Sequence, residues 1–214
     1  MLEMRTTMLE AIRYWKADEE AKLDDLLVRL ADCGPQNRKM KAGHALAKFF
    51  ERAESIDDPQ STGEIDSVQS EGWTFDFAAH MKLNLAPVRE MAFFDVFQTP
   101  YGPVKLTGHC DQLDGLTVCD QKLVESFEVE GKYTDSLQWR AYLAMLGAKR
   151  FRYDVFVGRI DDNEDVVTIT GYHAVHFYTY PGIRNDVHRA VVEAAEVFTI
   201  YADRIAKLKE GAKG

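Results

Sequence analysis

Apolar residues recur at helical spacing near the start of the chain. Met8, Leu9, Ile12, Trp15, Leu23, Leu26, Leu27 and Leu30 predict helical structure from Met1 to about Ala31, and Cys33-Gly34-Pro35 stops the pattern. A second helix is predicted from about Gln36 to Ser55, carried by Met40, Leu46, Phe49, Phe50 and Ala53. Residues 56–72 are acidic and turn-rich with no periodicity, which predicts a loop or flap. The character then changes. MAFFDVFQ, VKLTGHCDQL and LTVCDQKLV are rich in β-branched and aromatic residues and are joined by TPYGP and by Asp114-Gly115, a strong hairpin signal, so an antiparallel meander is predicted at about 89–125. A helix follows at about 135–147, started by Thr134, Asp135 or Ser136 and ended by Gly147. FRYDVFVGRI and VVTITGYHAVHFYTY supply two more strands, and Asn185 to Lys209 reads as a final amphipathic helix. This order predicts an α/β or α+β domain with a mixed central sheet.

Composition narrows the class. A chain of 214 residues that is 46% hydrophobic and 11% aromatic can bury a sizeable core, which argues against disorder or a disulfide-stapled miniature. No apolar run approaches the roughly 20 residues of a membrane span. The first residues lack the pattern of a secretory leader, so no membrane association and a cytoplasmic location are expected. Three cysteines, Cys33, Cys110 and Cys119, form no CxxC pair and fit neither a disulfide framework nor a four-cysteine cluster. The balance of 26 basic against 35 acidic residues, a net charge of −9, weighs against any partner held mainly by positive charge.

Candidate chemistry lies in the meander. Asp120 and Lys122 share one face of the third predicted strand while Gln121 points to the other. Pairing across the Asp114-Gly115 turn can bring Asp111 beside Asp120. Two adjacent carboxylates repel unless a cation lies between them, and hard divalent ions such as Mg²⁺ or Mn²⁺ prefer such oxygen ligands. The same residues also read as strand-end acids bridged by a lysine. Acid-x-Lys alone is a weak signal, since Glu20-Ala21-Lys22 and Glu130-Gly131-Lys132 share it. What distinguishes Asp120-Gln121-Lys122 is the apolar strand leading into it and Gly108-His109-Cys110-Asp111 on the strand before. Gln138 and Tyr142, four apart, share a helix face. His44 lies roughly opposite Leu46, Phe49, Phe50 and Ala53, so it is either exposed or turned into a cleft, and Glu51 is a second candidate ligand two turns later. A structural zinc site from His109, Cys110, Cys119, His173 and His176 is disfavoured, because the cysteines have the wrong parity to join the acids and no close pair has zinc spacing.

Taken in order, Gly43-His44, Gly108-x-x-Asp111, Asp120-x-Lys122 and Gln138-x-x-x-Tyr142 resemble the RecB-type branch of the PD-(D/E)XK nuclease superfamily, which includes phage and CRISPR-associated exonucleases. The resemblance covers about residues 36–160. It implies a restriction-endonuclease-like α/β (α+β) core in a single nuclease domain over 1–214. Residues 1–35 would be an N-terminal helical extension, 36–160 the motif-bearing core and 161–214 a C-terminal strand and helix. It implies hydrolysis of DNA phosphodiester bonds with Mg²⁺ or Mn²⁺, in an exonuclease of recombination, repair or phage DNA metabolism. His44, Asp111, Asp120 and the backbone carbonyl of Gln121 would hold the metal, Lys122 would be the catalytic lysine, and Gln138 and Tyr142 would organise the site and engage DNA. Arg140, with Arg38-Lys39-Met40-Lys41, Lys149, Arg150 and Arg152, could line a DNA track. The acidic surface implies weak, salt-sensitive binding or help from a recombination partner or a homo-oligomer. Two departures stand out: Leu123 follows the lysine where relatives often have Thr, and the cysteines do not match the iron–sulfur cluster of many relatives, so no cluster is expected. The alternative is a non-catalytic DNA-binding or assembly module on the same fold.

Overall fold

The computed structural model describes residues 1–53, 67–78 and 85–212. The chain runs β1 (Leu2–Arg5), α1 (Thr6–Ala17), α2 (Leu23–Ala31), α3 (Arg38–Arg52), β2 (Ser67–Ser70), β3 (Trp73–Phe77), β4 (Val88–Thr99), β5 (Gly102–Asp114), β6 (Thr117–Val124), α4 (Leu137–Leu146), β7 (Arg150–Ile160), β8 (Val166–Tyr178), α5 (Ile183–Ile200) and α6 (Ala202–Gly211). The predicted meander is β4–β5–β6. Its turns are set by Gly102 at φ 102° and Gly115 at φ 55°, where a side chain would be strained. The predicted helix 135–147 is α4, with the Ser136 hydroxyl accepting from Gln138 N at its start and Gly147 in the left-handed conformation at its end.

Three strands depart from the expected pattern. β1 is four residues inside the segment read as helix, and it exists because it pairs in parallel with Val104–Thr107 of β5, a partner about a hundred residues away. β2 occupies part of the segment read as a loop over 56–72; residues 56–66 of that reading lie outside the described ones. β3 joins β2 to the sheet by pairing in parallel with β8. The final helix is interrupted at Tyr201, between α5 and α6.

Eight strands form one mixed sheet in the order β1-β5-β6-β7-β8-β3-β2, with β4 on the other edge of β5. β7 is central and buried on both faces, since Phe151, Tyr153 and Val155 join one hydrophobic cluster while Phe156 joins another. One face carries α4 with Trp139, Tyr142 and Leu143. Beside it a helical layer of α1, α2, α5 and α6 closes over Met4, Phe97, Val104 and Leu106. The opposite face is covered by α3, whose Ala42, Ala45, Leu46 and Phe50 pack on Phe75, Phe156, Val167 and Ile169. Arg89 of β4 fixes the end of α3 by donating to the carbonyls of Phe50, Glu51 and Ala53, which the last helical turn leaves without partners.

Among the described glycines Gly108 is the most tightly enclosed. A Cβ built there would stand 2.5 Å from Phe93 Cζ and 3.2 Å from Tyr142 Cε1, whereas one at Gly43 in α3 would meet Leu123 Cβ at 4.0 Å. Gly108→Ala is therefore expected to destabilise the fold by about 1–3 kcal/mol through overpacking. Gly43→Ala should stabilise it by about 0.5–1 kcal/mol by removing helix-interior glycine. Urea denaturation of both variants measures the pair of opposite shifts.

Candidate active site at the strand fork

The β5–β6 ladder pairs Asp114 with Thr117, Leu113 with Val118 and Gln112 with Cys119, and there it ends. One more step would place Asp111 opposite Asp120. Instead β6 stays with β7, pairing in parallel through Val124, while the same edge of β5 is taken up by β1 from Thr107 downward. On this edge Gly108, His109, Cys110 and Asp111, the Gly-x-x-Asp segment, face a fork with no strand, while β4 pairs with Gly108–Cys110 on the other edge.

Side chains fill the fork. Tyr142 OH donates to His109 O at 2.7 Å and accepts from His109 N at 3.4 Å, supplying the two hydrogen bonds that a neighbouring strand would have made. The carboxylate of Asp111 spans the gap and accepts from Gln121 N at 2.6 Å. Asp120 Oδ1 accepts from Gln138 Nε2 at 2.7 Å, and its Oδ2 pairs in charge with Lys122 Nζ but receives no aligned hydrogen bond. The Asp120 side chain is 4% exposed and that of Lys122 is 36% exposed, so the acid is sealed and the lysine reaches solvent. The lysine ammonium also lies 5.9 Å from the centroid of the Tyr153 ring.

Electrostatics follow from this enclosure. Burial, then the neighbouring charge of Asp120, pushes Asp111 up to about 7; Lys122 and the Gln121 N–H oppose the rise, and Glu90 adds to it. Burial disfavours the Lys122 ammonium, yet Asp120 and Asp111 outweigh it, so the net shift is upward and the lysine holds its proton. Glu90 sits where β4 would pair with Asp111: the register passes from Arg89↔Gln112 to Met91↔Cys110, and Glu90 adopts φ 53°, a left-handed conformation rare for a side chain of this size. Its carboxylate lies 3.4 Å from His109 Nδ1.

Asp111, Asp120 and Lys122 lie together at the fork, and Gln138, whose role the family resemblance supplied, joins them through Asp120. Other expected residues are used differently. His44 is exposed on α3, and among the described residues no three His, Cys, Asp or Glu side chains gather as a metal-holding group. Glu51, on the same helix face, is paired with Lys48. Gln121 contributes its N–H to Asp111, and its side-chain Oε1 is buried without a partner. Arg140, expected on a DNA track, donates to the carbonyls of Thr134, Asp135 and Ser136 and lies over Trp139, so it fastens the turn before α4. Tyr142, expected to engage DNA, is 2% exposed and serves the fork. Arg38 clasps the β7–β8 turn through the carbonyls of Asp161, Asp162 and Glu164, Lys39 pairs with Glu125, and Arg152 pairs with Asp154. Cys110 and Cys119 are buried thiols, pushed up to about 11 and about 12 by burial. Tyr153 and Glu90 were not foreseen; each owes its place to a partner strand rather than to a local pattern.

No protein-family model and no curated protein sequence matches the chain. Its fold is similar to that of the protein SSO0001, at a TM-score of 0.53 and 11% identity, over 92% of this chain and 77% of that one. It is also similar to a candidate exonuclease from Eubacterium rectale, at a TM-score of 0.50 and 11% identity, over 98% of this chain and 82% of that one. The mixed sheet flanked by helices is a restriction-endonuclease-like fold, as the sequence led us to expect.

The raised Asp111 gives a stability test. Its folded pKa of about 7 lies above its unfolded value, so the folded protein keeps a proton that the unfolded chain releases between about pH 4 and 7. Stability contributed by this group therefore falls as pH rises through that window. In EDTA, Asp111→Asn, which removes the charge at constant shape, should unfold at higher temperature than the wild type at pH 8, and the gap should close toward pH 4.

Proposed function

We propose that the chain is a divalent-metal-dependent deoxyribonuclease that hydrolyses DNA phosphodiester bonds, acting as a cytoplasmic exonuclease in recombination, repair or phage DNA metabolism. The observation that carries this reading is the fork. Two carboxylates and a protonated lysine converge where the sheet opens, and one buried carboxylate oxygen, Asp120 Oδ2, receives no aligned hydrogen bond. The donor set suits Mg²⁺ or Mn²⁺, because such ions are commonly held by one or two carboxylates together with substrate phosphate and water rather than by an all-protein cage.

In this reading Asp111 and Asp120 hold the ion, with the Gln121 carbonyl as the further ligand that the family resemblance assigns, while His44, exposed on α3, does not gather with the two acids. A bound ion would polarise the phosphodiester and lower the pKa of a coordinated water. Asp120 and Asp111 favour the Lys122 ammonium, so in this reading it acts as a cation rather than as a base, stabilising charge growing on the phosphate and orienting the attacking water. Gln138 fixes Asp120 by holding Oδ1, which leaves Oδ2 turned to Lys122 and would let it serve as a ligand. Tyr142 keeps the fork open by replacing the missing strand at His109. The net charge of −9 makes DNA binding salt-sensitive or dependent on a recombination partner or a second copy.

Linear and covalently closed circular DNA, each incubated with Mg²⁺, Mn²⁺ or EDTA, test the reading. Metal-dependent release of nucleotides from linear DNA alone is the expected result, and absence of any metal-dependent product would leave a DNA-binding module in its place. Lys122→Ala should lower kcat by about 10²–10³-fold, as for loss of a group that stabilises transition-state charge, with Mn²⁺ binding retained. Asp111→Ala should abolish both cleavage and Mn²⁺ binding. Full metal-dependent cleavage by Asp111→Ala would sink the assignment.

A further inference from the structure

We propose that Glu10, in the N-terminal helix and outside the family motifs, is a positioning residue for Asp120 and Lys122, acting through the start of α4. The functional part of this inference rests on the nuclease reading above. Glu10 is largely enclosed, with its side chain 16% exposed. One of its oxygens, Oε2, is held by Arg13 Nε at 3.1 Å. The other, Oε1, receives two hydrogen bonds from the turn that begins α4, one from Ser136 Oγ at 2.7 Å and one from Gln138 N at 2.9 Å.

Two arms lead from that oxygen to the site. Along the first, Glu10 fixes the backbone of Gln138, whose side-chain Nε2 reaches Asp120 Oδ1 at 2.7 Å. Along the second, the proton count decides direction. Ser136 has a single hydroxyl hydrogen and gives it to Glu10, so in its 3.0 Å contact with Tyr153 OH it is the acceptor and the tyrosine is the donor. The tyrosine ring held in this way is the one beside the Lys122 ammonium. A carboxylate on α1 thus sets both the acid and the surface against which the lysine lies.

Glu10 is not needed merely to start the helix. Gln138 N already has a capping partner in Ser136 Oγ at 3.1 Å, and a carboxylate near a helix N-terminus adds only modestly to an existing cap. What a residue at position 10 adds is orientation: the Ser136 hydroxyl turned toward α1, and Gln138 held at one height above Asp120. Removal should loosen the Gln138 amide and Tyr153 while leaving α4 folded.

Glu10→Ala removes both acceptor oxygens, and Glu10→Gln keeps one. In Glu10→Ala, hydrogen exchange of the Gln138 side-chain amide, followed by NMR without metal, should quicken several-fold. Mn²⁺ affinity and kcat should each fall by about tenfold, the lower end for loss of a residue that orients a metal ligand, with KM within about twofold. Glu10→Gln should recover most of these losses. Wild-type amide exchange together with wild-type Mn²⁺ affinity in a folded Glu10→Ala protein would overturn the inference, as would a loss of kcat fully accounted for by the unfolded fraction. A wild-type protein that neither binds Mn²⁺ nor cleaves DNA would instead refute the nuclease reading, and the metal-free exchange measurement would still decide whether Glu10 orients Gln138.

Discussion

The divergence of β5 and β6 after the Gln112–Cys119 pair is the constraint on which the rest of the structure depends. A sheet cannot open in its interior without leaving backbone donors and acceptors bare, and each one left buried and unpaired costs about 1–3 kcal/mol. Here β1 covers Val104–Thr107, and the remaining gap is closed by the Tyr142 hydroxyl and the Asp111 carboxylate. Gly108 belongs to the same solution, because the Phe93 ring edge passes where its Cβ would be and the Tyr142 ring lies close beside it. The motifs Gly-x-x-Asp and Gln-x-x-x-Tyr are therefore two halves of one device: the first leaves room and spans the gap, the second supplies the missing strand's bonds and steadies the acid on the far side.

The fork also explains the electrostatics. Side by side in a flat sheet, Asp111 and Asp120 would be shielded by solvent; drawn into the opening, they lose water and feel each other, and Asp111 moves toward neutrality. Lys122 offsets part of this, and the mutual pull keeps it protonated. The result is a pair of enclosed carboxylates whose joint charge is unfavourable, with a lysine ammonium against one of them. Helices on both sides of the sheet lock it in place, α4 above the fork and α3 on the opposite face.

The positive residues show how little charge in a sequence says about its use. Arg38, Arg89 and Arg140 each spend their guanidinium on backbone carbonyls at a turn or a helix end, and Arg152 is paired with Asp154. A planar fork of donors suits bare carbonyls as well as phosphates. Sequence patterning treats both settings alike, so the carbonyl partners of Arg38 and Arg140 are visible only in the folded chain. The Glu10 contacts to Ser136 and Gln138 were invisible for the same reason, being made across more than a hundred residues.

By itself the sequence determined the elements whose signals are local. The meander with its Asp114-Gly115 turn, α4 between Ser136 and Gly147, α3, and the strands β7 and β8 follow from periodicity, caps and turn residues that act within a few positions. So does the candidacy of Asp111, Asp120 and Lys122, because strand alternation and hairpin register are set by the turn that joins them. Only tertiary structure decided that β1 is a strand, that the ladder stops one step short of the acids, that Glu90 takes a left-handed conformation opposite them, that Tyr142 faces inward and that Arg140 turns back onto the turn before α4. Each of these depends on hydrogen bonds or packing between residues far apart in the chain, and the free energy that selects them does not exist until the sheet has closed.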